Sequence, residues 1–250
     1  MKSKVVTDIE LRSRWYANRK EEIIVPVGAM FTPAANDFIR ENNITVIYGN
    51  DAGYGHFSME PIPTENGRPV YVDDATGQRV LSKKENYTHL SGNRLVSKTH
   101  PQIALRGKLD SLIAEIIQLQ LLCESTGDFE IIELLDEIVS YTKKILSSEV
   151  RGIPFGEIKL MGMNSGDLRY YSQNVKETLG MDHPSPSYTD GPVCASLNKL
   201  RTSVREVELA AVRAFPNDDR MDIVEAINRL SSAVYIIYCR KLKGLYGGTR

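Results

Sequence analysis

Cysteine is scarce in this chain, with Cys123, Cys194 and Cys239 the only three in 250 residues. They stand far apart, the count is odd and no spacing suits a metal, so neither a disulfide framework nor a zinc ribbon is expected. Net charge is almost absent: 31 Lys plus Arg face 32 Asp plus Glu, a formal −1. That balance gives no electrostatic reason to expect nucleic acid or a membrane surface as a partner. Long apolar runs are missing too. The longest, Ala233 to Cys239, falls far short of the roughly 20 residues that span a bilayer. Met1 to Val5 hold nothing like the apolar stretch of a secretion signal. His56, His89, His100 and His183 are scattered without zinc-ligand spacing. There is no Glu-x-x-His of a di-iron bundle, no GxSxG or GxGxxG, and no Walker-type GxxxxGK[ST]. What remains is a soluble, reduced, cytoplasmic protein, long enough for one large domain or one domain plus a small extension.

The first ninety residues change character every few positions. Thr7 caps a short helix that runs toward Trp15 and Tyr16. Glu22 to Pro26 reads as a strand. Thr32 to Arg40 reads as a helix with Thr32 as cap and Pro33 in its first position, and Ile44 to Tyr48 as a second strand. Residues 22–48 thus have the rhythm of a small α/β unit. A loop is expected over 50–67, then a hairpin from Pro69 to Leu81, with Asp73 and Asp74 in its exposed turn. From residue 101 the period becomes helical: Leu105, Leu109, Leu112, Ile113, Ile116 and Ile117 share a face. Phe129 to Leu146 repeats the pattern, 167–179 is a shorter candidate, and Val193 to Phe215 and Asp222 to Lys243 are long. The expected fold is mainly α: a small N-terminal α/β module over 1–90 and a C-terminal helical bundle over 91–250.

Some polar residues interrupt this apolar patterning. Arg201, Arg205 and Glu208 sit at i, i+4 and i+7, on one helix face. They are either an exposed stripe worth ~0.3–0.5 kcal/mol per pair or two guanidiniums placed for a polyphosphate. Asn228, Ser231 and Ser232 form a second patch, to be satisfied by other helices or by a ligand. Asp110 is a lone carboxylate in the Leu105–Ile117 series, and a buried carboxylate needs a partner such as Arg201. The stretch Thr88 to Pro101 reads as a loop whose hydroxyls, Gly92, Arg94 and Lys98 can cradle phosphate oxygens, or as a bare structural loop.

In the blocks Thr88-His-Leu-Ser, Ser97-Lys-Thr-His-Pro, Leu109-Asp-Ser, Leu200-Arg-Thr-Ser-Val-Arg-Glu-Val-Glu208 and Ala226-Ile-Asn-Arg-Leu-Ser-Ser-Ala-Val-Tyr235, the chain resembles the ethanolamine-utilisation corrinoid adenosyltransferases. More distantly it resembles the propanediol-utilisation type of ATP:cob(I)alamin adenosyltransferase. The resemblance runs through most of the chain and includes the Leu11-Arg and Phe31-Thr-Pro-Ala blocks. It implies a five-helix bundle, often a trimer, and transfer of the 5′-deoxyadenosyl group of ATP to Co(I) of cobalamin, with Mg²⁺ and release of triphosphate. By the same resemblance Asp110 bridges to Arg201 across a subunit interface, Arg205 and Asn228 contact ATP, and Glu208 holds Arg205. Lys98 takes the part of a phosphate loop, and Thr88 and His89 stand with the ligand-contacting residues.

Some ethanolamine-type members carry a metal-binding His and Cys cluster before the Thr-His-Leu block. Here Tyr71 to Tyr87 contains neither residue, so no iron or zinc site is expected. The Phe that the propanediol type sets against the lower corrin face has no equivalent, leaving His183, Tyr188 or an apolar neighbour in the 180–192 loop. The resemblance further implies a role in ethanolamine catabolism and admits a microcompartment, a corrinoid reductase and ethanolamine ammonia-lyase as associates. The rival readings are a non-catalytic bundle that scaffolds a metabolic assembly and a different nucleotide-dependent transferase.

Overall fold

A computed structural model of the chain describes residues 5–6, 22–25, 30–42, 44–48, 64–65 and 68–246. The chain divides into two compact units, 1–59 and 60–250. In the first, β1 (Val5–Val6), β2 (Glu22–Val25), β3 (Met30–Phe31), α1 (Pro33–Glu41) and β4 (Thr45–Tyr48) follow one another. β1 pairs with β3 and β2 with β4, both in parallel, so the α/β rhythm expected over 22–48 is present. α1 begins where Thr32 Oγ1 accepts the Ala35 N–H at 3.3 Å and Pro33 takes the first position, where its missing N–H costs nothing. It stops at Asn42, whose Nδ2 donates to the Phe38 carbonyl at 2.9 Å. Ala35 and Phe38 bury against Ile44 in a small core. The helix expected from Thr7 and most of the loop expected over 50–67 lie outside the described residues.

The second unit opens with β5 (Thr64–Glu65) and β6 (Arg68–Pro69), an antiparallel pair. A four-stranded sheet follows: β7 (Tyr71–Asp73), β8 (Arg79–Val80), β9 (Tyr87–Ser91) and β10 (Arg94–Ser97), in the spatial order β8-β7-β10-β9. β7 and β8 are the expected hairpin. Asp73 serves its turn by accepting the N–H groups of Ala75 and Thr76 at 3.1 and 3.0 Å. The expected loop over 88–97 is instead a second hairpin, β9–β10, turned at Gly92, whose φ of +52° favours glycine. Its pairing places His89 opposite Leu95 and Thr88 opposite Val96, so this stretch is sheet and not an open loop.

The helices are α2 (Pro101–Thr126), α3 (Phe129–Arg151), α4 (Ser165–Gln173), α5 (Val175–Leu179), α6 (Pro192–Ala214) and α7 (Met221–Leu242). A small hairpin, β11 (Lys159–Leu160) and β12 (Met163–Asn164), precedes α4. α2 starts with Pro101 in its first turn and His100 Nδ1 accepting the Gln102 N–H at 3.3 Å. It ends at Gly127, left-handed at φ +76°. Leu105, Leu109, Leu112, Ile116, Leu119 and Cys123 alternate in steps of four and three, so one stripe is buried. Leu109 is fully buried, and its truncation to Ala should cost ~2–5 kcal/mol. The single short helix expected over 167–179 is two, interrupted at Asn174, whose side chain donates to the Tyr170 carbonyl at 2.9 Å.

The four long helices close a ring in which α2 packs on α3 and α6, and α7 on α6 and α3, while α4 lies against α7 as a fifth. α2 and α6 run antiparallel: Lys108 pairs with Glu206 at 3.0 Å and Lys199 with Glu115 at 3.9 Å. Two ion pairs fasten the ring. Arg106 grips the buried Glu149 through Nε and Nη2, at 2.5 and 3.2 Å, and Lys241 pairs with the buried Asp128. β9 packs on α3, so the sheet joins the helical unit and the division falls at 59/60, whereas the sequence reading places it at 90/91.

Candidate active site

The helical unit carries a cavity of about 720 Å³. α6 contributes Arg201, Arg205 and Glu208, which its spacing of four and three puts on one side. α7 contributes Asn228, Ser231, Ser232 and Tyr235 by the same rule, with Arg229 beside them, and α4 adds Arg169, Ser172 and Gln173. Pro184 and Pro186 come from the segment between α5 and α6. Of the two polar patches in the sequence, then, both face one space. The lining holds four arginines and a single glutamate, so the cavity favours an anionic ligand.

Hydrogen bonds fix most of these groups. Asn228 Nδ2 donates to Glu208 Oε1 at 2.7 Å, and Arg229 Nη1 donates to Asn228 Oδ1, so the two partners set the carboxamide's orientation. Arg229 Nε in turn donates to Ser165 Oγ at 2.8 Å, and Ser165 donates to Glu225 at 2.6 Å. Arg201 donates twice to Asn198 Oδ1, at 3.2 and 3.0 Å, and its guanidinium lies 5.8 Å from the centre of the Tyr235 ring. The Tyr235 hydroxyl meets His183 Nδ1 at 2.7 Å, the two rings stacked at 15°. Burial raises the Tyr235 phenol above its ordinary value, and the neighbouring Cys239 adds to the rise. Burial, then the Asp190 charge, push Tyr238 up to about 12. Both phenols stay protonated at neutral pH and act as hydrogen-bonding groups, not bases.

Not every expected site residue or contact is found at this cavity. Asp110 is exposed on α2 and is not paired with its own chain's Arg201, because one helical step turns it about 100° away from the buried Leu109. Glu208 holds Asn228, not Arg205, which is exposed and has no partner among the described residues. Lys98 is exposed and pairs with Glu85 at 3.2 Å. Thr88 and His89 sit in β9. His89 lies 5.6 Å from the Tyr71 ring with its Nε2 buried and unpartnered, and burial lowers its pKa, the Lys83 charge adding to that. His183 joins the site through Tyr235, whereas Tyr188 is 92% exposed. Sequence reasoning missed Arg169, Ser172, Gln173 and Tyr235. Tyr235 follows Asn228 by seven residues and Ser232 by three, a spacing that would have found it.

The family described as cobalamin adenosyltransferase matches residues 82–241, and the corrinoid adenosyltransferase EutT N-terminal domain matches residues 5–83. The corrinoid adenosyltransferase EutT of Escherichia coli strain K12 is 29% identical over 245 residues, covering 93% of this chain and 90% of that protein. EutT of Salmonella typhimurium strain LT2 is also 29% identical, with the same coverage. A solved variant of the PduO-type ATP:corrinoid adenosyltransferase from Lactobacillus reuteri, complexed with cobalamin and ATP, shares the fold with a TM-score of 0.53. It is 16% identical and covers 66% of this chain and 93% of that one.

Proposed function

Because the chain belongs to the cobalamin adenosyltransferase family, we propose that it moves the 5′-deoxyadenosyl group of ATP onto Co(I) of a corrinoid. The bond from C5′ to the triphosphate breaks, a cobalt–carbon bond forms, and triphosphate leaves. The similarity to EutT proteins supports a role in ethanolamine catabolism. The observation that carries the reading is the gathering of Arg201, Arg205, Glu208 and Asn228 around one cation-rich cavity.

The nucleophile is the reduced corrinoid substrate, so the hard chemistry belongs to it. The chain's work is to bind, orient and exclude water. Arg205, with no partner among the described residues to release first, would bind the leaving triphosphate as its charge builds. Asn228, held by Glu208 and Arg229, offers a fixed carboxamide to the nucleotide. Tyr235, Pro184 and Pro186 give the cavity its apolar surface. Glu208 is the carboxylate that the lining offers to Mg²⁺, an ion that would neutralise triphosphate charge.

Asp110, Lys98, Thr88 and His89 stand outside their own chain's cavity, which suits a site shared between copies of the chain, trimeric in this reading. Asp110 would there meet Arg201 of a second copy, and Lys98 would approach the phosphates. The decisive experiment is a visible spectrum with ATP, Mg²⁺ and chemically reduced cobalamin. Conversion to the light-sensitive adenosylated form is expected, and an unchanged spectrum would return the chain to the scaffold reading.

A further inference from the structure

The four guanidiniums of the cavity are not equivalent. Arg201 spends its N–H groups on Asn198 and lies over Tyr235, and Arg229 spends its own on Ser165 and Asn228. The side chains of Arg205 and Arg169 have no hydrogen-bond or ion-pair partner among the described residues. The lining's one carboxylate, Glu208, is engaged by Asn228. Two unneutralised cations therefore face one cavity, an arrangement that repels itself until an anion arrives.

Arg169 does not stand there by chance of a loose surface helix. α4 opens with a reciprocal cap: Asn164 Oδ1 accepts the Asp167 N–H at 3.0 Å and Asp167 Oδ2 accepts the Asn164 N–H at 3.2 Å. The helix is tied to α7 at both ends, through Ser165 to Glu225 at 2.6 Å and through Ser172 to Ser232 at 3.2 Å. Arg169, Ser172 and Gln173 stand at i, i+3 and i+4, and all three line the cavity. We propose that Arg169 is a second phosphate-binding side chain of this site, lining the same cavity as Arg205 and presented on the pinned helix α4. Its planar fork suits two oxygens of one phosphate. The inference rests on the adenosyltransferase reading for its substrates, which offer two sources of this chemistry: the triphosphate of ATP and the phosphodiester in the nucleotide loop of cobalamin.

The test uses the full chain as wild type, Arg169→Gln, Arg169→Lys and the control Arg213→Gln, an exposed arginine near the end of α6 that does not line the cavity. Calorimetry with inorganic triphosphate is paired with KM values for ATP, cobalamin and cobinamide, which lacks the phosphodiester. Arg169→Gln should weaken one phosphate ligand on the order of tenfold, Arg169→Lys less, and Arg213→Gln not at all. Weaker triphosphate binding with a raised KM for ATP assigns the triphosphate. A raised KM for cobalamin that disappears with cobinamide assigns the nucleotide loop. Wild-type values for Arg169→Gln in all of these overturn the proposal. An inactive wild type whose triphosphate affinity still falls in Arg169→Gln would sink the adenosyltransferase reading and leave the anion site standing.

Discussion

Replacing Arg229 by Met keeps its buried stem and removes the guanidinium, and the effect should be felt at Asn228. The Arg229 side chain is only 12% exposed, so its hydrogen bonds to Asn228 Oδ1 and to Ser165 Oγ at 2.8 Å are poorly replaced by water. Hydrogen bonds from a charged donor are worth ~1.5–3 kcal/mol each. Both acceptors are half-buried and regain part of this from solvent, so a net loss of about 2–3 kcal/mol is expected. For a chain of this size that lowers Tm by about 4–12 °C in a thermal melt. Asn228 would also lose the partner that fixes its carboxamide, so the KM for ATP should rise together with the loss of stability. The decisive comparison is a double-mutant cycle with Asn228→Ala. If the relay is real, the second substitution costs less once the first is made, with a coupling of at least about 1 kcal/mol. Effects that add to within ~0.3–0.5 kcal/mol would refute the reasoning.

Arg205→Lys should raise the KM for ATP by roughly 10-fold or more, leaving Tm unchanged because Arg205 has no partner among the described residues to lose; unchanged ATP kinetics would return it to a solvated stripe. Asp110→Ala should not destabilise the monomer fold, since Asp110 is exposed, but should weaken the oligomer in light scattering; its effect should not add to that of Arg201→Ala. Burial pushes the Asp222 carboxyl up, but hydrogen bonds from Arg220 at 3.0 Å and from the Phe155 N–H at 2.8 Å outweigh it and hold it below its usual 3.8. A depressed carboxylate stabilises the fold above its unfolded pKa, so this contribution should start to decline near pH ~4 and be lost as pH falls through the lowered folded value, and acid melts of Asp222→Asn should show a shallower loss there. Metal analysis of the purified chain should find no tightly held iron or zinc, because Tyr71 to Tyr87 supplies no His or Cys.

The helices were legible because burial along them follows spacing. Leu105, Leu109, Leu112 and Ile116 are all buried, although Ile117, expected on the same face, is exposed, and Arg201, Arg205 and Glu208 line one cavity as their spacing implies. The periods were less informative where they were short. Nine residues of α4 give too few turns for an amphipathic stripe, so Arg169, Ser172 and Gln173 carried no signal until α7 was seen beside them. Thr88 to Ser97 reads as a loop because it lacks the two-residue alternation of a half-buried strand: only the adjacent Leu95 and Val96 are buried. Asp110 misled for a simpler reason. A residue flanked in sequence by buried leucines is not flanked by them on a helix.

The antiparallel register of α2 and α6 also bears on the proposed pairing of Asp110 with Arg201 of a second copy. The pairs Lys108–Glu206 and Lys199–Glu115 set residue 110 level with residue 204 along the helix axes. At ~1.5 Å per residue Asp110 is then ~1.5 Å in height from Arg205 and ~4.5 Å from Arg201. Rotation about an axis parallel to the helices preserves height, so a ring of copies built that way brings Asp110 of one to the level of both arginines of the next. A two-fold axis perpendicular to the helices reverses height instead, and joins the same residues only if it crosses the bundle at their level. If Asp110 meets Arg201 of a second copy, as proposed above, the charge on one exposed turn of α2 selects among symmetries before any interface area is considered.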